Sequence, residues 1–484
     1  MELDALIRAL APGDVIGGRP VEILDLAYDT RRVRAGSLFF CVPGATRDGH
    51  DLAGEAVDAG AVALVVERPL EADVPQLVVA TARASMAVAA DEFFGRPTER
   101  LTVAGVTGTN GKTTTAYLLK AILEAANLRT GLVGTVEWVV GGAPRAAPHT
   151  TPEAVDLQRL FREMLDAGDD AVAIEASSHG SHYRRLDRVR FDALVFTNLT
   201  QEHLDLHGDM EEYFQAKRRL FTGIESPPAA INVGDPYGRR LADELVAAHR
   251  APLVTFGLRP EAEVRADELQ IGPHGSTFTA AGLPLATRLP GVFNVENVLG
   301  AVAAAQLLDV DDDAIADGIS AVSGVAGRFE AVDEGQDFAV VVDYAHKPDA
   351  LAAVLRAARA LGDGRLTVVF GAGGDRDRSK RAEMGRVAKQ LADAVIVTSD
   401  NPRSEDPLEI IGDVLRGAGT DVEVDPDRRS AIETALGRAE RGDVVLIAGK
   451  GHEQGQEVEA VIHPFDDREV ARAALRALRA GGTA

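Results

Sequence analysis

The sequence predicts an α/β protein of three consecutive domains with mostly parallel sheet. Three observations carry that expectation. The chain has 484 residues, room for roughly three domains at ~150 residues each. Short, strongly apolar runs recur along it, separated by helical periodicity, the alternation expected of parallel strands joined by crossover helices. Several of these runs also end in polar, glycine-bearing tips, as strands do where the carboxyl edge of a sheet meets a ligand.

Taken in order, residues 1–98 contain the runs "GSLFFCVPG", "AVALVVE" and "QLVVA", and the turn-like "FGRPTER" closes a small N-terminal α/β domain. A second set fills residues 99–328: "LTVAGV", "DAVAIEASSH", "DALVFTNLT" and "AAINVGD". The third, in residues 329–484, is "FAVVVDYAH", "LTVVFGAGGDRD", "DAVIVTSDNPR" and "DVVLIAGKGHE". Its tips, Asp343–His346, Gly371–Asp377, Asp400–Arg403 and Gly449–Glu453, are expected to converge on one sheet edge. No internal repeat or low-complexity block interrupts the pattern.

Composition narrows the function. Hydrophobic residues make up 46% of the chain, ample for packed cores, yet no run approaches the ~18 apolar residues of a membrane span. The start, "MELDALIRALAPGD", lacks the basic and apolar regions of a signal peptide, and the single cysteine, Cys41, allows no internal disulfide. Both fit a cytoplasmic protein, and a monomer is expected. A net charge of -24 argues against a nucleic-acid partner, because phosphate backbones attract basic surfaces. An anionic small molecule would need local positive groups and backbone amides. Lysine is scarce, seven of the 51 basic residues. Lys112, Lys217, Lys347, Lys380 and Lys450 nevertheless lie in or beside motif-like stretches, and arginine cannot replace a compact ammonium or a reactive amine.

The stretch "VAGVTGTNGKTTT" reads as a strand, a glycine loop and a helix start. A phosphate loop needs glycines that let amides point inward, a lysine for the outer phosphates and a hydroxyl for Mg²⁺. Gly108, Gly111, Lys112 and Thr113 supply these, and the helix expected from Thr113 to about Ala126 aims its N-terminus at the anion. The departure is Val106, where the usual pattern has glycine. Further ligands for Mg²⁺ are expected from Glu175, at the end of "AVAIE", and from Asn198 and His203 in "TNLTQEHLDLHG".

The motifs "GVTGTNGKTTT", "EASSH", "NLTQEHLDLHG", "YFQAKRRLF", "FNVENVLGA", "GRFE", "DYAHKPDAL", "SDNPR" and "GKGHE" occur together in this order. With them the sequence resembles the Mur ligase family, in the branch that adds meso-diaminopimelate to UDP-N-acetylmuramoyl-L-alanyl-D-glutamate with ATP. The resemblance runs from residue 28 to 453. It implies a UDP-substrate-binding domain (1–98), a central ATPase (99–328) and a C-terminal Rossmann-like domain that binds the amino acid rather than a dinucleotide (329–484). It also implies that a carboxylate attacks the γ-phosphate of ATP, and that an amine then displaces phosphate from the resulting acyl phosphate. Sister ligases that add L-lysine or build the dipeptide, folylpolyglutamate synthetase, and a non-catalytic nucleotide-binding protein on the same fold are the alternatives.

The family's roles carry over motif by motif. Gly108, Thr109, Asn110, Gly111, Lys112, Thr113 and Thr114 would hold the phosphates of ATP, Asn297 its adenine, and Arg328 and Asp343 would close over it. Lys112, Lys217, His203 and Glu175 would be catalytic. The Mg²⁺ ligands would be Thr113, Glu175, His203 and Lys217, the last as a carbamate (N6-carboxylysine); the plain alternative for Lys217 is a solvated helix lysine. Tyr28, Thr30, Ala45, Thr46, Arg47, His149, Thr150, Thr151, Ser177, Tyr183 and Arg185 would bind the UDP substrate. Tyr183 and His149 depart from the glutamine and asparagine common at those places. Diaminopimelate would meet Arg376, Asp400, Asn401, Pro402, Arg403, Gly449 and Glu453. Its distal carboxylate calls for a rigid bidentate donor, which the Arg403 guanidinium can supply. The plain alternative is that Arg403 pairs with Glu405 or Asp406.

Overall fold

A computed structural model describes residues 1–44, 47–223, 226–249 and 251–481. Ala45 and Thr46, two of the expected UDP-substrate residues, lie outside the described residues. The apolar runs form the strands, and they assemble into three successive sheets.

The first has five strands in the order Asp14–Ile16, Gln76–Val78, Ala61–Val66, Ser37–Phe40 and Asp25–Ala27. All neighbours are parallel except the Asp14–Ile16 edge. Leu38, Phe39 and Phe40 are fully buried, because the strand is covered on both faces, as parallel strands usually are. Helices Leu3–Leu10 and Ala82–Phe93 cover one face through Leu3, Leu6 and Met86.

The central sheet has eight strands: Leu253–Phe256, Ala229–Asn232, Ala193–Phe196, Thr102–Thr107, Ala171–Glu175, Thr130–Val133, Glu137–Val140 and Ala143–Ala146. The first six run parallel; the last two fold back as a hairpin. Thr102–Thr107 lies between Ala171–Glu175 and Ala193–Phe196, which the chain enters from opposite sides. That is the topological switch point, where a crevice opens at the carboxyl edge. Register brings Glu175 beside Val106 and Phe196 beside Thr107, so the loop after Thr107 shares its edge with Glu175.

Alternate strand residues face two cores. Ala104, Val106, Ala173 and Val195 pack on helices Lys112–Ala125, Val292–Leu307 and Asp312–Ala321. Val103, Val172, Ile174 and Leu194 pack on Ala154–Asp166, Met210–Arg218 and Pro236–Ala248. Val292–Leu307 is buried nearly all round, and Asn294 and Asn297 are polar exceptions within it. A three-stranded antiparallel meander (Asp267–Gly272, Gly275–Ala280, Leu283–Thr287) adds Phe278 and Leu285 to the first core.

The third sheet has six strands: Glu330–Ala331, Ala339–Asp343, Val444–Ala448, Leu366–Phe370, Ala394–Val397 and Glu423–Val424. All are parallel except the first. Asp343 and Phe370 both register with Ala448, and Phe370 with Val397, so the four polar tips do leave from one edge. An antiparallel hairpin, Gly455–Val458 with Val461–Pro464, stands beside it.

Candidate active site

The loop after Thr107 is shaped by backbone. Gly108 has φ 147° and Gly111 φ 85°, a region that L side chains avoid. Space is as restrictive as angle: a Cβ on Gly108 would stand 1.8 Å from Thr197 Oγ1, and one on Gly111 2.2 Å from Asn297 Oδ1. Val106 needs no such freedom, because the chain there is still a fully buried strand residue. The variant pattern reflects a loop that starts later.

Neighbouring groups hold the loop open. Thr109 N–H donates to Asn198 O at 2.9 Å, Asn110 N–H to Asn198 Oδ1 at 2.9 Å, and Thr197 Oγ1 to Asn110 O at 2.6 Å. Asn198 therefore builds the loop rather than reaching into the site. Helix Lys112–Ala125 follows with no side-chain cap. The amides of Lys112, Thr113 and Thr114 have no acceptor among the described residues, as the first turn of a helix leaves them.

Two amines meet at this loop. Lys112 Nζ donates to Gly108 O at 3.0 Å and Thr109 O at 2.8 Å; burial pushes its amine down to about 8. Lys217 Nζ donates to the same Gly108 carbonyl at 2.8 Å. Lys217 is 1% exposed, which excludes the solvated-lysine alternative. Burial pushes its amine well below the usual range, and the neighbouring Lys112 adds to the effect. Two amines, that of Lys217 buried and that of Lys112 partly so, and three amides with no acceptor among the described residues suit a polyanion.

The other expected groups sit around them. Glu175 is buried and accepts from Thr135 N at 2.7 Å and Thr135 Oγ1 at 3.1 Å. His203, at φ 55°, stands edge-on to His179 with centroids 4.5 Å apart. Burial pushes its imidazole pKa down, which keeps it neutral, as a metal ligand must be. Arg328 Nη2 donates to Thr113 Oγ1 at 3.1 Å, and its guanidinium covers the Tyr344 ring at 4.5 Å. Asn297 donates to Asn294 Oδ1 at 3.0 Å. Asp343 accepts the amides of Phe329 and Ala345, both at 2.7 Å; burial pushes its carboxyl up to about 6. It thus clamps the segment linking the second and third sheets.

The expected Mg²⁺ set does not form a closed cage: among the described residues no group of three or more His, Cys, Asp or Glu side chains could hold a metal ion. Hydroxyl, carboxylate and neutral imidazole are nonetheless suitable donors for a hard cation that keeps waters and phosphate oxygens as its remaining ligands.

The expected UDP-substrate residues divide into two groups. Thr150 Oγ1 lies 3.0 Å from Thr135 Oγ1, which reaches Glu175. Thr151 Oγ1 donates to Glu175 O at 2.8 Å and lies 2.9 Å from Ser177 Oγ, and Ser177 caps helix Ser178–His182. Arg185 pairs with Glu153 at 2.7 Å and, with Arg83, flanks the Tyr183 ring. These are one connected structure beside the Glu175 carboxylate. The exposed His149 joins it through its carbonyl, which accepts from Trp138. Tyr28, Thr30 and Arg47 lie on the first domain: Tyr28 donates to Asp156 at 2.5 Å, Thr30 to Glu55 at 2.6 Å, and Arg47 is exposed.

A cleft of about 980 Å³ lies between the second and third sheets. Arg376, Asp400, Asn401, Arg403, Gly449 and Glu453 all line it, together with His203. Pro402 does not; its carbonyl packs where a Cβ on Gly374 would stand, 1.9 Å away. Asn401 is a builder rather than a free contact. Its Nδ2 donates to Glu453 at 2.8 Å, and its Oδ1 accepts from Lys450 Nζ at 2.9 Å and Glu457 N at 3.0 Å. Asp400 Oδ2 is buried with no hydrogen-bond partner among the described residues. Burial works against its charge, but Arg428 and Lys450 outweigh it and hold the carboxyl below its usual range. Arg403 pairs with neither Glu405 nor Asp406: Glu405 holds Arg378 and Arg381, and Asp406 caps helix Pro407–Ala418.

Sequence reasoning missed the bridge across the cleft. Lys347 Nζ meets Glu202 at 2.6 Å, and Asp349 accepts from Asn110 Nδ2 of the phosphate loop at 2.8 Å. The signal for Lys347 was lysine scarcity. All five lysines near motifs are within the site, whereas Lys120 and Lys389 make surface pairs with Glu124 and Asp421.

Known proteins match this arrangement. The chain is 46% identical to the UDP-N-acetylmuramoyl-L-alanyl-D-glutamate--2,6-diaminopimelate ligase of Geobacillus thermodenitrificans, over 99% of this chain and 100% of that one. It is 47% identical to the enzyme of the same name from Streptomyces coelicolor, over 94% and 93%. The chain belongs to the Mur ligase family. Within it, residues 22–94 match the Mur ligase family catalytic domain, 106–305 the Mur ligase middle domain, and 327–451 the Mur ligase glutamate ligase domain. A solved structure of a UDP-N-acetylmuramoyl-L-alanyl-D-glutamate--2,6-diaminopimelate ligase is similar with a TM-score of 0.68 and 33% identity, covering 94% of this chain and 95% of that one. No helix among the described residues of this Mur ligase is long and apolar enough to cross a membrane.

Proposed function

We propose that this Mur ligase joins meso-diaminopimelate to UDP-N-acetylmuramoyl-L-alanyl-D-glutamate with ATP, in the cytoplasmic synthesis of peptidoglycan precursor. The observation that carries the amino-acid assignment is Arg403, a guanidinium in the cleft wall with Glu453 and Asp400 beside it. Those groups suit an amino acid whose far end carries both an ammonium and a carboxylate.

The working division is a UDP-substrate domain (1–98), an ATPase (99–328) and an amino-acid domain (329–484). The free amides of Lys112, Thr113 and Thr114 bind phosphate oxygens, and Lys112 leaves the Gly108 and Thr109 carbonyls to meet the outer phosphates. Asn297 contacts adenine, and Arg328 and Asp343 close the nucleotide side. The substrate carboxylate attacks the γ-phosphorus and ADP leaves. The amine attacks the resulting acyl phosphate, loses a proton and expels phosphate, which leaves far more readily than hydroxide. Oriented positive groups stabilise the charge that develops in both steps. Mg²⁺ would be held by Thr113, Glu175, His203 and the carbamate of Lys217, and it supplies neutralisation of phosphate charge. The ridge Thr150–Thr151–Ser177–Arg185, with His149 and Tyr183, orients the muramoyl dipeptide, and Tyr28, Thr30, Ala45, Thr46 and Arg47 hold its uridine end.

The deciding experiment measures ADP release from the purified protein with the UDP-muramoyl-dipeptide and a panel of amino acids. Robust turnover is expected with meso-diaminopimelate and little with L-lysine, since lysine brings no distal carboxylate to the open Nη end of Arg403. Equal turnover of the two would refute the amino-acid assignment, and none with any amino acid would refute the ligase reading.

A further inference from the structure

The tip that carries Arg403 is held from outside the six-stranded sheet, by the hairpin Gly455–Pro464. Arg403 N–H donates to Glu457 O at 3.0 Å, and Glu459 N–H donates to Arg403 O at 2.8 Å. Together they hold Arg403 at φ 54°, a left-handed conformation that a non-glycine residue keeps only where its surroundings over-determine it.

The same hairpin also grips the side chain. Arg403 Nε donates to Glu457 Oε2 at 3.0 Å, and Nη1 donates to Gly374 O at 2.6 Å. A guanidinium carries five N–H donors in one plane, so two bonds at different nitrogens fix both the position and the tilt of that plane. Nη2 has no acceptor among the described residues, which leaves the Nη end of the fork open. Arg403 lines the cleft, whereas Glu457 does not. Glu457 is itself anchored, its N–H on Asn401 Oδ1 at 3.0 Å, while the adjacent Gln456 donates to Asp400 O at 2.7 Å.

We propose that Glu457 is a positioning residue for amino-acid selection: it occupies the Nε side of Arg403 and so presents the open Nη edge to the distal carboxylate of the incoming diamino acid. This rests on the reading of Arg403 as the group that receives that carboxylate. Its consequence is a residue that never touches substrate yet sets the preference for it.

The test uses the full chain, with meso-diaminopimelate varied at saturating ATP and UDP-muramoyl-dipeptide. Glu457→Ala is expected to raise the KM for meso-diaminopimelate about tenfold, the effect of losing one charge-assisted hydrogen bond. It should lower kcat less, narrow the preference over L-lysine, and leave the KM for ATP unchanged. Glu457→Gln keeps an oxygen for Nε–H and should recover much of the loss. In an Arg403→Ala background, Glu457→Ala should add nothing, because the group it aims is gone. A smaller folded fraction would lower the apparent kcat without moving KM, so the reading survives partial unfolding. A parent-like KM in Glu457→Ala, or an equal further loss in the Arg403→Ala background, overturns the assignment. If Arg403→Ala alone leaves the KM for meso-diaminopimelate unchanged, the reading of Arg403 has failed and this proposal falls with it.

Discussion

Two sheet edges in this Mur ligase face one cleft region, and they are built by different means. At the central edge the site is backbone: two glycines that admit no Cβ, three amides with no acceptor among the described residues and a carbonyl, Gly108 O, on which both Lys112 and Lys217 rest. At the C-terminal edge it is a side-chain lattice in which Asn401 ties Glu453 to Lys450 and Glu457 aims Arg403. A backbone site suits a ligand shared by many enzymes, since amides recognise phosphate whatever it is attached to. A side-chain lattice suits the ligand that distinguishes one enzyme from its sisters, because exchanging a partner changes the fit.

If that division holds, lesions at one edge spare the function of the other. The largest effect is expected from Lys217→Ala: turnover falls by about a thousandfold or more, as when a charge-stabilising group is lost, while calorimetric ATP binding persists. Small carboxylic acids should partly restore the rate by returning an anionic oxygen, and a fully active Lys217→Arg would rule out the carbamate. Arg403→Ala comes next, with kcat/KM for meso-diaminopimelate down about a hundredfold and ATP affinity kept; a matching loss of ATP affinity would show that the two edges are not separable. Lys112→Ala should melt near the parent without ligand yet lose the ~2.7 kcal/mol of stabilisation that ATP gives at a hundredfold excess over Kd, and a normal ATP-induced rise in Tm would break the phosphate-loop reading. The smallest effect is a control remote from both edges. Burial pushes the Cys41 thiol up to about 12, so alkylation of the native protein at pH 8 should be negligible until it unfolds; rapid modification would mean that the first domain opens.

The backbone edge was the legible one. Strand, glycines, lysine and threonine occupy fixed spacing because a tight loop leaves no freedom, and even the Val106 departure only moves the loop's start. The eleven inner strands quoted as apolar runs could be read because parallel strands buried on both faces are continuously apolar; short or flanking strands such as Asp14–Ile16, Asp25–Ala27, Leu253–Phe256 and Glu423–Val424 could not. Harder to see were the hairpin Glu137–Ala146 and the meander Asp267–Thr287, whose strands are half exposed and carry no long apolar run. The lattice was legible in its members but not in its bonds. "DNPR" and "GKGHE" name Asn401, Arg403 and Glu453, yet nothing in them says that Asn401 faces Lys450 or that Pro402 is scaffold. Glu457 and Asp349 lie outside the expected site altogether, and Asp349 meets Asn110 across 239 positions of chain. Pairings at that distance follow from the fold, which short motifs do not encode.

The lining of the cleft also bears on how it could be blocked. Five cationic and seven anionic side chains share its walls with few aliphatic ones, among them Pro348, Ala352 and Val387. A greasy, neutral inhibitor would strip water from those charges and return little, because desolvated ions need matched partners. A compound that fits must be a zwitterion with its charges set apart at fixed spacing, the kind of molecule that crosses a lipid bilayer poorly. Medicinal chemistry against this cleft would therefore be limited by permeability before potency, whereas the amide-lined loop offers a site whose ligand charge is all of one sign.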